Sequence, residues 1–379
     1  MIKKIELNYF KCFEVLKLPV TDLTLLSGSN ASGKSSLLQA FVLLHQSVRE
    51  NEWASRLMLN GEIIKLGTVL DVVNKVHGRH KFTISIVDHE HSYSWDFSGD
   101  RTEMSMAVDE IQIDDRVYQV PNELCKLLPP NTTVQNYDLP NLLEGITYIT
   151  AERLGPRDFY KLEDPWKIKT VGSKGEHAVS MLHSLRDQAV SERLVSSFEP
   201  PTLLRQVEAR MREFFPGCGI VVEPIARMNA VTLGLRTSDA TDYHRPINVG
   251  FGLTQILPII VSTLAAKPGD LLLIENPEVH LHPAGQAMMG SYLAEVSNSG
   301  VQIIIETHSD HVLNGIRRGV KKGTINPEKV SLHFFRPPTE GLDQVVSPRL
   351  DSSGNVDFWP EGFFDQFDKD MSHFAGWGE

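Results

Sequence analysis

Gly28-Ser29-Asn30-Ala31-Ser32-Gly33-Lys34-Ser35 fits the pattern G-x-x-x-x-G-K-[ST], and Ser36 follows it directly. Glycines at these positions let the backbone curl until successive N–H groups point inward, as phosphate oxygens require. Lys34 would then reach the β- and γ-phosphates, and the Ser35 hydroxyl would ligand Mg²⁺. Gly28 through Ser36 are therefore candidate ATP contacts; the bland alternative is a Gly/Ser-rich turn. A Mg-nucleotide site also needs a carboxylate, and Leu271-Leu272-Leu273-Ile274-Glu275 ends an apolar run in one. Glu275 and Ser35 are the candidate Mg²⁺ ligands. A second apolar run, Val301-Gln302-Ile303-Ile304-Ile305-Glu306, leads into Thr307-His308-Ser309-Asp310.

These residues need elements to hold them. Asp22-Leu23-Thr24-Leu25-Leu26 reads as a short buried strand, and Leu37, Phe41, Leu44 and Val48 share one face of a following helix that runs to about Arg49. Phosphate would sit at that helix N-terminus, where free N–H groups and the dipole favour negative charge. The two apolar runs read as buried parallel strands. Residues 1–33 form a small β-unit, with a strand over Val15–Val20, and residues 61–75 read as a strand and turn. Lys81 to Val120 has period-two alternation, an antiparallel meander with turns at Asp88–His91, Ser98–Asp100 and Asp114-Asp115. Residues 121–145 read as loop with a short helix, and Ile146–Ile149 as a strand. Residues 176–215 read as two helical segments broken by Glu199-Pro200-Pro201. Ile220–Glu223 and Ala230–Leu235 suggest a hairpin. The expected organisation is one head over 1–379. Its nucleotide-binding core comes from 1–50 and 246–336, with 51–245 inserted between the halves and 337–379 as a C-terminal extension.

Bulk properties narrow the classes. Of 379 residues, 41% are hydrophobic and 22% charged, ordinary values for a soluble globular chain. Cys12, Cys125 and Cys218 are widely spaced, which fits a reducing cytoplasm and offers no thiolate metal site. Met1-Ile2-Lys3-Lys4-Ile5-Glu6 shows no signal-peptide core. Ile247 to Ala266 carries no charge, but Gly250, Gly252, Gln255 and Pro258 interrupt it, so a buried loop and helix is expected rather than a membrane span. A net charge of −11 argues against a uniformly basic nucleic-acid binder and leaves room for a local basic groove.

Four elements stand in a fixed order: the phosphate loop, Asn248-Val249-Gly250-Phe251-Gly252-Leu253-Thr254-Gln255, Ile274-Glu275-Asn276-Pro277-Glu278-Val279-His280-Leu281-His282-Pro283, and Glu306-Thr307-His308. This order resembles the ABC-type ATPase heads of the RecF, SMC and OLD group. It is most similar to small bacterial predicted ATPases that carry I-E-N-P-E-x-H-L-H-P and end in W-P-x-G-F-F, here Trp359-Pro360-Glu361-Gly362-Phe363-Phe364. Leu59-Asn60-Gly61-Glu62 and Ala151-Glu152-Arg153-Leu154-Gly155-Pro156 also look like that set, and Septu-type phage-defence ATPases are a related possibility.

The resemblance implies an α/β P-loop head, a sandwich with an antiparallel β subdomain and an inserted α/β region. It implies ATP and Mg²⁺ as ligands. Gly250, Gly252 and Gln255 belong to the signature loop, whose glycines reach the other subunit's γ-phosphate across a homodimer or higher oligomer. Glu275 replaces the usual Walker B aspartate, Asn276 stands where most members place the catalytic glutamate, and His308 is the switch histidine. Asparagine cannot accept a proton, so slow turnover is expected, with Glu278 and His308 as candidate general bases and a carboxylate restored at 276 expected to speed it. Each role has a plainer rival: a turn at Gly250 and Gly252, a core or surface histidine at His308, a metal cluster of Glu278, His280 and His282.

Three functions stay open at this point: an ATPase regulating a separate effector or nuclease in phage defence, a RecF-like DNA-repair clamp, and a transporter subunit. The β-rich insertion and W-P-x-G-F-F tail do not look like a transporter's. Arg317-Arg318-Gly319-Val320-Lys321-Lys322 puts four cations in six residues. They would meet nucleic-acid phosphates or simply solvate a helix C-terminus. No TOPRIM-like or HNH-like cluster follows residue 336, so the expected nuclease is a separate chain.

Overall fold

Strand-period alternation accounts for the first sheet of the computed structural model, which describes residues 1–53, 55–75, 78–120, 123–130, 138–196, 199–337, 339 and 342–375. The chain divides into two compact units: Met1–Ile146, Ser331–Pro348 and Phe358–Glu379 form the first, Thr147–Val330 and Arg349–Asp357 the second.

In the first unit, the described residues form a seven-stranded antiparallel sheet in the order Val15–Pro19, Lys4–Asn8, Lys81–Val87, Ser92–Ser98, Ser105–Ile113, Arg56–Met58, with Arg116–Gln119 also paired to Ser105–Ile113. Alternate residues (Phe82, Ile84, Ile86; Tyr93, Trp95, Phe97) are buried, as a one-faced sheet requires. The register slips between Asp96 and Phe97, so that Glu110 and Val108 face them and Asp109 is the extra residue of a bulge. Asp109 accepts hydrogen bonds from Lys81 Nζ at 2.7 Å and Ser98 Oγ at 2.6 Å, and burial switches from Met106 and Val108 to Ile111 and Ile113 across the slip. The meander and its turns are as the alternation predicts.

Residues 61–75 differ from expectation. A single bridge joins Asn60 to Lys65, and Val69–Val72 is a short helix rather than a strand. Asp71 Oδ2 accepts the Thr68 N–H and the Thr68 hydroxyl, each at 2.9 Å. That start signal outweighs apolar alternation over so few residues. In the 121–145 stretch the helix is Leu139–Glu144; residues 121, 122 and 131–137 lie outside the described residues, as do 376–379 of the extension. The first unit also contains the strand Leu23–Gly28, which lies beside Val330–Phe335, and the helix Lys34–Glu50.

In the second unit Leu271–Glu275 lies between Thr147–Ile149 and Gln302–Glu306 and runs parallel to both. Leu271 to Ile274 are buried, which explains a run with no polar alternation. Helices Pro283–Asn298 and Asp310–Lys321 follow the two longer strands. Gly219–Pro224 and Ala230–Arg236 make the expected hairpin, extended by Tyr160–Lys161. The described residues of 176–215 form three helical pieces rather than two: Ala178–Ser184, a 3₁₀ turn at Glu192–Leu194, and Leu203–Phe214. The charge-free stretch forms Phe251–Ala265, buried from Gly252 to Leu264. Among the described residues no helix is long and apolar enough to cross a membrane.

Two histidines of the first unit are buried as neutral groups. His45 Nδ1–H donates to the Leu143 carbonyl at 2.6 Å. His333 Nε2–H donates to the Pro19 carbonyl at 2.9 Å, which leaves Nδ1 to accept from the Ser347 hydroxyl at 2.7 Å. Burial, the leading cause, lowers each to about 4. The unfolded chain therefore binds these protons first as pH falls below about 6.5. Stability present above that pH is lost progressively down to about pH 4, by roughly 3 kcal/mol per histidine. Denaturant unfolding measured from pH 7 to 4 should show this slope, and His333→Gln should reduce it by about one proton. An unchanged slope would contradict the assignment.

Candidate functional site

In the first unit, the strand Leu23–Gly28 delivers the loop and Lys34–Glu50 carries it away. Gly28 and Gly33 take φ of 137° and 110°, and Ala31 between them takes 59°. A side chain at Gly28 would overlap the Phe335 carbonyl oxygen, and a Cβ at Gly33 would sit 2.5 Å from the Phe13 ring. Glycine is thus required at both positions by conformation and by space. Ser29, Asn30 and Ala31 form an exposed crest, while Ser35 and Ser36 are half-buried at the helix start. The N-cap of the 17-residue helix is Gly33, which has no side chain to cap the first N–H groups, an arrangement that suits an anion at a helix start.

Lys34 is only 3% exposed, and its Nζ donates to the carbonyls of Ser29 at 2.7 Å and Gly28 at 3.1 Å. Ser32 Oγ donates to the same Ser29 carbonyl at 2.8 Å, and Gln344 Nε2 donates to the Ser32 carbonyl at 3.1 Å. The Ser29 and Gly28 carbonyls fix the ammonium against the loop.

In the second unit the carboxylates are arranged by the strand ends. Parallel pairing sets Tyr148 opposite Leu273, and the chain after Ile149 then passes the end of Leu271–Glu275. The Tyr148 hydroxyl donates to Glu275 Oε1 at 2.6 Å and the Ala151 N–H to Oε2 at 3.1 Å. Burial first, then the Glu275 charge, raises the Tyr148 phenol well above its usual value, so it is a fixed donor. Arg153 Nη2 donates to the carbonyls of Glu275 at 2.5 Å and Asn276 at 2.8 Å. Each Glu275 oxygen keeps a lone pair, and a carboxylate is the type of ligand that a hard cation such as Mg²⁺ takes.

Asn276 sits at φ 43°, a left-handed conformation that asparagine tolerates better than most residues. Its N–H donates to the Glu306 carbonyl at 2.7 Å, and its Nδ2 lies 3.4 Å from Glu278 Oε1. The His308 N–H donates to that same oxygen at 3.2 Å. Glu278 is 8% exposed, and its Oε2 has no hydrogen-bond partner among the described residues. Asn276, Glu278 and His308 are thus brought together beside Glu275, with the exposed His308 contributing through its backbone.

The signature-loop residues divide differently. Gly250 is exposed at the N-cap of Phe251–Ala265. Gly252 is buried, and a Cβ there would lie 2.9 Å from the His280 carbonyl. Gln255 is buried too, its Nε2 donating to the Leu154 carbonyl at 3.2 Å. His280 packs edge-on against Phe251 at 4.7 Å, and His282 Nδ1 accepts the Ala284 N–H at the start of Pro283–Asn298. Tyr148 and Arg153 received no role from sequence reasoning. The only signal was the arginine's place in Ala151–Pro156, directly after a predicted strand.

A family model described as AAA ATPase domain matches residues 1–91 and 108–313, which include the phosphate loop, the signature loop, Glu275 to Glu278 and His308. A second, described as a protein of unknown function (DUF3696), matches 325–373. The OLD nuclease of Thermus scotoductus is 23% identical over 326 residues, 82% of this chain, and the chain spans 59% of that relative's length. Among solved structures, the Smc head bound to the C-winged helix domain of ScpA is 14% identical with a TM-score of 0.56, over 93% of this chain and 98% of that one. The Smc head domain with an extended coiled coil, bound to the C-terminal domain of ScpA derived from Pyrococcus furiosus, is 13% identical with a TM-score of 0.54, over 99% of each chain. The chain has the P-loop, ABC-type head fold and belongs to the AAA ATPase domain family.

Proposed function

We propose that this chain binds Mg-ATP, hydrolyses it slowly, closes as a homodimer around it, and thereby regulates a partner effector or nuclease in cytoplasmic phage defence. The observation that carries the hydrolytic reading is the buried Glu278 carboxylate, with one oxygen fixed by Asn276 and His308 and the other without a partner among the described residues. A fixed carboxylate with an oxygen not committed to another donor is what a general base needs. Lys34 and the N–H groups of Gly28–Ser36 bind phosphate, and Ser35 and Glu275 hold Mg²⁺, which when bound offsets phosphate charge. The likeness to an OLD nuclease supports a link to nuclease chemistry. Residues 1–379 act in this reading as one head, with 1–50 and 246–336 as its core, 51–245 inserted and 337–379 appended. Kinship with the small bacterial W-P-x-G-F-F ATPases and with Septu-type systems belongs to the same proposal.

A RecF-like role on DNA is the second reading, favoured by one feature. Arg317, Arg318 and Lys321 line a cavity of about 260 Å³ with Asn314, Ser353 and Asn355. Arg317 is anchored there by its Nε bond to the Gly354 carbonyl at 2.7 Å. Three cations in one recess would suit backbone phosphates.

Lys34→Ala should abolish ATP binding seen by calorimetry, because it removes the cation that the phosphate loop presents to phosphate. Retained affinity would reject the phosphate-loop role.

The dimer is best probed at Gly250. A substitution at Gly252 collides with the His280 carbonyl of its own chain, whereas among the described residues a Cβ at Gly250 meets only Leu253, at 3.6 Å. Gly250→Glu should suppress the ATP-linked dimer in sedimentation while one-site ATP binding persists. An unaltered dimer would count against a cross-subunit signature loop.

Glu278→Gln should lower kcat by about 10²–10⁴-fold with ATP still bound, the range a positioned base typically contributes. Asn276→Glu should gain less than that range, because glutamate disfavours the left-handed turn and cannot donate to Glu278. Wild-type turnover in Glu278→Gln would move the base to His308 or elsewhere.

A further inference from the structure

Arg153 is a buried cation to which the proposed hydrolysis assigns no task. It is 6% exposed, and its Nη2 bridges the carbonyls of Glu275 and Asn276. Those two carbonyls belong to successive peptide units on either side of the Asn276 Cα, where the chain leaves the strand and enters the left-handed turn. Fixing both peptide planes sets the direction of the chain beyond them, and Glu278 lies only two residues past Asn276. Nε and Nη1 of the same guanidinium are buried with no hydrogen-bond partner among the described residues. A strut chosen for stability alone would be expected to satisfy those donors, since each open donor in a low-dielectric site is costly. Burial lowers the guanidinium to about 10, against the opposing pull of Glu278 and then Glu275, so it stays charged at neutral pH.

We propose that Arg153 is the positioning residue of the carboxylate cluster: it clamps the two peptide units that meet at Asn276 and, through that turn, aims the Glu278 carboxylate. The role belongs to arginine because one nitrogen must reach two carbonyls while the rest of a planar, charged group stays fixed beside two carboxylates; an ammonium on a flexible stem has no such rigidity. The proposal rests on Glu278 being the base, and the test separates the two.

The experiment is a kinetic cycle of Arg153→Met, Glu278→Gln and the double variant, with single-turnover kcat, KM for ATP and melting temperature measured for each. Arg153→Met should lower kcat about 10–100-fold, the usual effect of losing a group that orients a ligand-bearing carboxylate, with KM changed less than about threefold. In the Glu278→Gln background the same substitution should change kcat less than about twofold, because a group acting through Glu278 has nothing left to aim. Arg153→Lys, which keeps the charge and one donor, should recover part of the loss. It also serves as the variant read through the cycle if Arg153→Met does not fold. Full, multiplicative loss in the Glu278→Gln background would overturn the proposal, as would equal losses in kcat for Lys and Met. Wild-type turnover in Glu278→Gln alone would instead reject the base assignment. An inactive Glu278→Gln with multiplicative Arg153 effects rejects only the clamp.

Discussion

A carboxylate moved from water to the end of an apolar strand loses hydration worth several kcal/mol unless donors replace it. The second unit is organised around that requirement. Glu275 ends a strand whose four preceding residues are buried, so its donors must come from the neighbouring strand and the chain leaving it. Parallel pairing with Thr147–Ile149 brings the Tyr148 hydroxyl to one oxygen, and the exit of that chain brings the Ala151 N–H to the other. The same exit carries Arg153 over the next peptide. Register, exit direction and charge are therefore one constraint: a slip by one residue would point Tyr148 to the opposite face and leave Glu275 Oε1 without its donor.

The phosphate loop of the first unit solves the converse problem. There a cation is buried, and neutral carbonyls of Ser29 and Gly28 hold it. Carbonyl dipoles fix the position of the Lys34 ammonium against the loop. The loop carbonyls can converge on Nζ because Gly28 and Gly33 turn through conformations closed to other residues, and because Phe335 and Phe13 occupy the space a side chain would need. Glycine spacing, lysine burial and a helix that starts on glycine are thus parts of one arrangement.

Much of this was legible in the sequence wherever the signal was local. Leu271–Glu275 announces a two-face-buried strand by lacking alternation, and Lys81–Val87 announces a one-faced strand by having it. The phosphate loop is contiguous, so pattern and position agree. Legibility ends where contacts span the chain. Tyr148 and Glu275 are 127 residues apart, and nothing in either neighbourhood marks them as a pair. The need for glycine at 252 looks in sequence like a reach to another subunit; in the fold it is also clearance for the His280 carbonyl. Over 68–71 the failure was local, since a four-residue helix set by Thr68 and Asp71 is too short to show a period.

Asn276 shows why residue type and residue task must be read together. Taken as a substitution for a catalytic glutamate, it is a loss, because an amide cannot accept a proton. Taken in its turn, it meets three geometric demands: φ of 43°, an N–H directed at the Glu306 carbonyl, and an amide donor toward Glu278. Glutamate meets the first poorly and lacks the donor for the last. Turn formation and proton acceptance compete for one position after the strand. In the proposed reaction the turn takes Asn276 and the carboxylate moves to Glu278, where the backbone N–H of His308 secures it from the neighbouring strand's end. The distance between Walker-type carboxylate and base along the chain is then set by the turn rather than by the chemistry, so a missing glutamate at 276 is weak evidence of an inactive site.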